Sequence, residues 1–158
     1  MKNILVREAV LADLDILLSF EQALIEAERP FDSTIRTGNL HYYDLKELIL
    51  NEEAIVVVAE MDGRVLSSGF GLAKPARHYL DHTKYAYLGF MYTHSDYRGK
   101  GLNSKIIDAL KEWAVQQGLY EIRLTVYQDN LPAIAAYEKA GFKKHIVEMR
   151  MKHTSPES

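Results

Sequence analysis

Cysteine is absent from this chain of 158 residues. That excludes disulfides, thiolate zinc sites and cysteine nucleophiles. A group transfer here must use another nucleophile or pass directly from donor to acceptor. No apolar run approaches the length of a membrane span. No excess of positive charge exists either: 19 Lys and Arg face 22 Asp and Glu, for a formal net charge of -3. A general footprint for nucleic acid is therefore missing, and any phosphate binding has to be local. The start, Met1 to Arg7, is charged too soon for a signal peptide. A cytoplasmic protein without nucleic-acid or membrane partners is the expectation. The histidines His41, His78, His82 and His94 show no metal-ligand spacing, so no metal is expected.

What is present suits one soluble domain. Hydrophobic residues make up 47% and charged residues 26% of the chain, a globular composition. The length supports a real core without staples. We assign residues 1–153 to a single domain and 154–158 to a disordered tail.

The pattern reads as alternating elements. Ile4 to Val6 is a short strand. Leu14, Leu17, Leu18, Leu24 and Ile25 mark a helix from Leu11 to Glu28, which Pro30 ends. Tyr43 to Leu50 reads as a second helix. Ala54 to Ala59 is a continuous apolar, mostly β-branched run, as in a buried strand. Asp62-Gly63 is a hairpin tip, and Val65 to Leu72 returns as the partner. Tyr85 to Thr93 is a long aromatic strand. Leu102, Ile106, Ile107, Leu110, Trp113 and Ala114 share one helical face, and Gly118 ends that helix. Ile122 to Tyr127 alternates as a strand. Asn130 can cap a helix that tolerates Pro132 in its first turn. Val147, Met149 and Met151 alternate in a last strand. The order β-α-α-β-β-β-α-β-α-β implies an α/β (α+β) fold with a mixed sheet and helices on both faces.

The chemistry concentrates in Tyr97-Arg-Gly-Lys-Gly-Leu-Asn-Ser-Lys-Ile106. Two glycines and three basic residues stand at a helix start. The first turn of a helix leaves backbone N–H groups unpaired and carries partial positive charge. Glycines let the loop curl into a nest for phosphate oxygens. Arg98 and Lys100 add charge at the rim. The four-residue spacer of a Walker motif is missing, as is the third glycine of the dinucleotide fingerprint. The bland alternative is a tight surface turn with solvated charges.

Two linked motifs decide between these. Met91 to Asn103 holds Arg98-Gly99-Lys100-Gly101-Leu102-Asn103 after a strand and before a helix. Downstream stands Asn130-x-x-Ala133-x-x-x-Tyr137-x-x-x-Gly141-Phe142. Together they resemble the central and C-terminal signatures of the GNAT superfamily of acyl-CoA-dependent N-acyltransferases. Asn103 departs from the Gly or Ala usual at its position.

The resemblance implies a mostly antiparallel central sheet of six to seven strands, with a cleft where the fourth and fifth splay apart. It implies acetyl-CoA (coenzyme A) as co-substrate, its pyrophosphate on backbone N–H groups from Arg98 through Gly99, Lys100, Gly101 and Leu102 to Asn103. Met91, Tyr92 and Thr93 would pair with the pantetheine arm, and the Met91 N–H would polarise the thioester carbonyl. Asn130 would contact pantetheine as well as capping its helix. Tyr137 matches the general acid that protonates the departing thiolate; its bland alternative is a buried helical tyrosine. His94 is near enough to the loop to reach a CoA phosphate. A homodimer is expected, as in many relatives.

A protonated amine must lose its proton before it attacks a carbonyl. Many relatives carry an acid on the strand before the bulge, but Tyr87-Leu-Gly-Phe90 has none. Glu28 is the candidate base or amine contact. Glu21, Glu28 and Asp32 are candidate substrate-binding acids on the first helix and the loop after it. The expected reaction is direct acetyl transfer to a primary amine such as a polyamine, amino sugar or amino acid. The alternatives are a protein or peptide N-acetyltransferase and a non-catalytic acyl-CoA-binding module.

Overall fold

The computed structural model describes residues 3–156. Strand β1, Ile4–Glu8, leads into a 3-10 turn at Leu11–Asp13 and helix α1, Leu14–Glu28. Pro30 lies in a second 3-10 turn, Arg29–Phe31. It removes a helical N–H and so closes α1 near the expected residue. Helix α2 is shorter than its pattern suggests, Leu45–Leu50. Asp44 is the reason: its side chain accepts from the Glu47 N–H and caps the helix there.

Strands β2, Ala54–Met61, and β3, Arg64–Pro75, form the hairpin. Asp62 and Gly63 sit at φ of 54° and 79° at its tip, as a two-residue hairpin loop requires. Strand β4 spans Lys84–Thr93, α3 Leu102–Gln116, β5 Ile122–Arg123 and α4 Leu131–Lys139. The sheet order is β1-β2-β3-β4-β5. All neighbours are antiparallel except β4 and β5.

Alternate residues of β2 serve two cores, which explains its unbroken apolar run. Val56 and Val58 join Leu17, Phe20, Leu45, Phe70 and Phe90 under α1 and α2. Val57 and Ala59 join Leu66, Leu88, Ile106 and Leu110 under α3. Each such aliphatic contributes ~1.5–3 kcal/mol by leaving water. Helix α3 comes very close to β3. A Cβ on Gly71 would lie 2.6 Å from the Trp113 ring, so only glycine fits beneath it.

The count of strands corrects one expectation. The sheet has five strands, not six to seven. Residues 124–127 follow Arg123 without a ladder, and 142–153 form no strand. Alternation marks a segment able to pair, but a strand also needs a neighbour. The tail expected at 154–158 lies in part, at 157 and 158, outside the described residues. Among the described residues no helix is long and apolar enough to cross a membrane.

Candidate active site

The site begins with a break in the β3–β4 ladder. Ser68 pairs with Tyr92 and Phe70 with Gly89, so the register slips between them. Phe90 takes up the slip at φ 56°, a left-handed conformation uncommon for a bulky residue. Two buried serines hold the bulge. Ser68 Oγ donates to the Phe90 carbonyl at 3.1 Å, and Ser67 Oγ to the Tyr92 carbonyl at 2.8 Å. Nothing in the sequence alone singles out Ser67 and Ser68; their role needs the paired strand. Met91 sits inside the bulge, Tyr92 packs on Phe20 with ring centroids 4.7 Å apart, and Thr93 ends β4.

On its other side β4 is nearly free. It pairs with β5 only at Ala86–Ile122 and Tyr87–Arg123. No ladder joins Leu88 to Thr93 with residues 124–127. A gap therefore opens in the sheet beside the bulge.

The glycine loop stands at the end of β4. A 3-10 turn, Ser95–Tyr97, precedes it. Arg98 Nε donates to the Thr93 carbonyl at 3.2 Å and ties the loop to the strand. Gly99 and Gly101 have φ of 77° and 82°, which other residues adopt only with strain. Added Cβ atoms there would meet open space, so the backbone angle, not crowding within the chain, calls for glycine. Among the described residues, no backbone N–H from Arg98 to Ser104 donates to the chain. The first internal bond is Lys105 N–H to the Gly101 carbonyl, 3.2 Å. These free donors, with the α3 dipole and the Lys100 ammonium, fit a diphosphate. His94 caps the 3-10 turn, its Nδ1 accepting from the Asp96 N–H at 3.2 Å.

Helix α4 supplies Tyr137. Asn130 caps that helix, accepting from the Ala133 N–H at 3.4 Å. The Tyr137 ring rests on Phe142, centroids 6.1 Å apart. Burial first, then the charge of Glu28, pushes its phenol up to about 12. It stays protonated and can donate.

Glu28 is the centre of the opposite wall. Burial raises its carboxyl above the usual carboxylate range, while Tyr42 pulls the other way. Tyr42, Tyr43 and Tyr127 are also raised, by burial first and by Glu28 next. The buried Tyr42 hydroxyl has no partner within hydrogen-bond distance. Beside it a groove of about 320 Å³ is lined by residues including Tyr42, Tyr43, Phe70, Lys74 and Tyr87. Apart from the adjacent Tyr42 and Tyr43, the tyrosines of this wall lie far apart in sequence, and no spacing rule links them.

The other two acids are placed differently. Glu21 is fully buried. One oxygen meets His41 Nδ1 at 2.7 Å, and the other accepts from the Tyr42 and Tyr43 N–H groups at 2.9 Å. It holds the segment that carries the two tyrosines. Asp32 accepts from the Thr34 N–H and hydroxyl and from Arg150. These bonds hold its carboxyl down at about 2. The charge of Glu28 thus reaches the Tyr137 phenol, whereas Glu21 is enclosed against the 41–43 backbone and Asp32 is tied to Thr34 and Arg150. Among the described residues no group of His, Asp or Glu could hold a metal ion.

A split parallel pair, a bulge and a glycine-opened helix define an acyl-CoA-type transferase scaffold. The family model described as the acetyltransferase (GNAT) family matches residues 20–142, and the chain belongs to that family. It is similar to an acetyltransferase of Pectobacterium atrosepticum, 28% identical over 109 residues, 69% of this chain and 72% of that one. Its fold resembles a Bacillus halodurans protein at a TM-score of 0.81 and 20% identity, over 95% and 99% of the two chains. It also resembles a predicted acetyltransferase of Clostridium acetobutylicum, solved with acetyl-CoA, at 0.72 and 18% identity over 95% and 96%. The chain is accordingly an acyl-CoA-dependent N-acetyltransferase by class.

Proposed function

We propose that the chain transfers the acetyl group of acetyl-CoA directly to the primary amine of a small molecule. The observation that carries this reading is the run of unbonded backbone N–H groups from Arg98 to Ser104 at the start of α3, next to the bulge at Phe90. Transfer needs a proton removed from the amine and a proton given to the sulfur as its bond to carbon breaks. Glu28 serves the first need and Tyr137 the second. Acetyl-CoA supplies the activated acyl carbon. Backbone N–H groups from Arg98 to Asn103 hold its diphosphate, Met91 to Thr93 and Asn130 take its arm, and the Met91 N–H stabilises charge developing on the carbonyl oxygen.

The acceptor is a cationic amine. A half-buried carboxylate near several phenols attracts an ammonium group and releases it as neutral amine.

The test is release of free CoA thiol from acetyl-CoA across polyamines, amino sugars, amino acids and N-terminal peptides. A small amine should stimulate release. Stimulation by peptides alone would make this a protein acetyltransferase. Stabilisation by acetyl-CoA with no stimulation by any amine would make it a binding module.

A further inference from the structure

The groove beside Tyr42 holds one cation among the described residues, Lys74. Phe70, Leu72 and Lys74 alternate along β3, so they share one face of the sheet. Phe70 and Leu72 belong to the core under α1 and α2. Lys74 therefore stands on the same face as the tyrosine wall, where the core gives way to the groove.

The Lys74 ammonium is left without an anion. Its Nζ lies 4.1 Å from the centroid of the Tyr87 ring, a cation–π contact. Among the described residues it makes no ion pair and no side-chain hydrogen bond. A ring face meets the charge from one side and leaves the N–H donors of the ammonium with no acceptor from the chain.

Aromatic contacts lead from this ammonium toward Glu28. The Tyr87 and Phe70 rings have centroids 6.3 Å apart, and Phe70 meets Tyr43 edge-on at 5.1 Å. Tyr43 in turn feels the charge of Glu28. One aromatic surface thus has a carboxyl group acting on one end and an ammonium on the other.

We propose, resting on Glu28 as the amine end of the acceptor site, that Lys74 binds an anionic group on the same acceptor. The substrate class is then an amine that also carries a carboxylate or a phosphate. Such a group would take charge-assisted hydrogen bonds from the ammonium, and an analogue lacking it would leave them unmade. The competing arrangement places a second ammonium on Asp44 and Glu47, which line the same groove. Both are exposed and partly committed to α2. Asp44 accepts from the Glu47 N–H at 3.1 Å, and Glu47 from the Asn51 amide at 3.0 Å. Exposed carboxylates gain little from an ion pair, whereas Lys74 is half-buried on an aromatic face.

The test uses acceptors matched in length: an alkylamine, an ω-amino carboxylate, an aminoalkyl phosphate and a diamine. Each is read by release of CoA thiol and, with CoA bound, by calorimetry. In kcat/KM the carboxylate or the phosphate should exceed the alkylamine by about 10-fold, the worth of one hydrogen bond to a charged group. The better of the two identifies the acid. Lys74→Met keeps an unbranched stem over Tyr87 and should bring that preference close to one. Lys74→Arg should retain it, and Lys74→Glu should turn it toward the diamine. A parent that prefers the diamine, or a preference unmoved in Lys74→Met and Lys74→Glu, overturns the proposal. Binding separates it from the transfer itself. If no amine releases thiol, yet acid-bearing amines bind and Lys74→Met abolishes that binding, the transfer fails and the Lys74 site stands. If the alkylamine is acetylated as well as its acid-bearing partners, the transfer stands and the Lys74 site fails. Neither release nor binding with any amine sinks both.

Discussion

Glu28, the last residue of α1, raises the phenol of Tyr137 in α4. The relationship spans most of the chain and joins a group suited to take a proton with one suited to give it. Both groups are shifted chiefly by burial, the one toward a weaker acid than ordinary glutamate, the other toward a phenol that stays protonated.

Tyr137→Phe removes the donor and keeps the ring on Phe142. Turnover should fall by about 100-fold or more, the range of a lost general acid. CoA affinity by calorimetry should change little. An equal loss of both would give Tyr137 a packing role only.

Glu28→Gln should act on stability and rate in opposite directions. The Glu28 carboxyl binds its proton more tightly in the folded chain than in the unfolded one. That stabilisation is complete below the ordinary value of 4.5 and is lost as the pH rises through the raised one. At pH 7 the folded chain holds a buried charge, so the neutral amide should raise Tm, by about 2 °C or more. At pH 4 the gain should vanish. The acid limb of kcat/KM should inflect above 4.5 in the parent and reduce to the acceptor's own titration in the variant.

Gly101→Ala forces a side chain into the left-handed conformation that opens α3. The cost should be ~1–2 kcal/mol, read by denaturant unfolding. If the free N–H groups hold diphosphate, the CoA Kd should rise as well, and the thermal shift caused by CoA should shrink.

Gly71→Ala tests packing away from the chemistry. The new methyl would press on Trp113, so unfolding free energy should drop by ~1–3 kcal/mol. The acceptor KM should stay near the parent's.

Glu21→Ala frees the Tyr42 and Tyr43 N–H groups and the His41 ring. The loss should be ~1–3 kcal/mol for each buried donor left unpaired. The KM for the amine should rise with CoA affinity kept, because the released segment carries the acceptor wall.

Local chemistry made much of this molecule readable from its residues. Asp62-Gly63 specifies its hairpin by backbone angle, Pro30 ends α1 by lacking an N–H, and the apolar face of α3 follows from the helical period. The glycine loop is legible for the same reason, since Gly99 and Gly101 do their work through their own φ angles. What depends on neighbours was not legible. The alternation at Val147, Met149 and Met151 shows a segment able to pair but not what it pairs with, and within one chain it has no partner. Glu21 and Glu28 lie seven residues apart and look equivalent. One is enclosed against the 41–43 backbone and the other faces the tyrosines, because α1 meets different surroundings at each turn. Sequence alone determined the family, the helix faces and the glycine loop, which rest on short-range geometry. Tertiary structure decided the count of strands, the serines that hold the bulge and which acid faces Tyr137, since each depends on contacts between residues far apart in the chain.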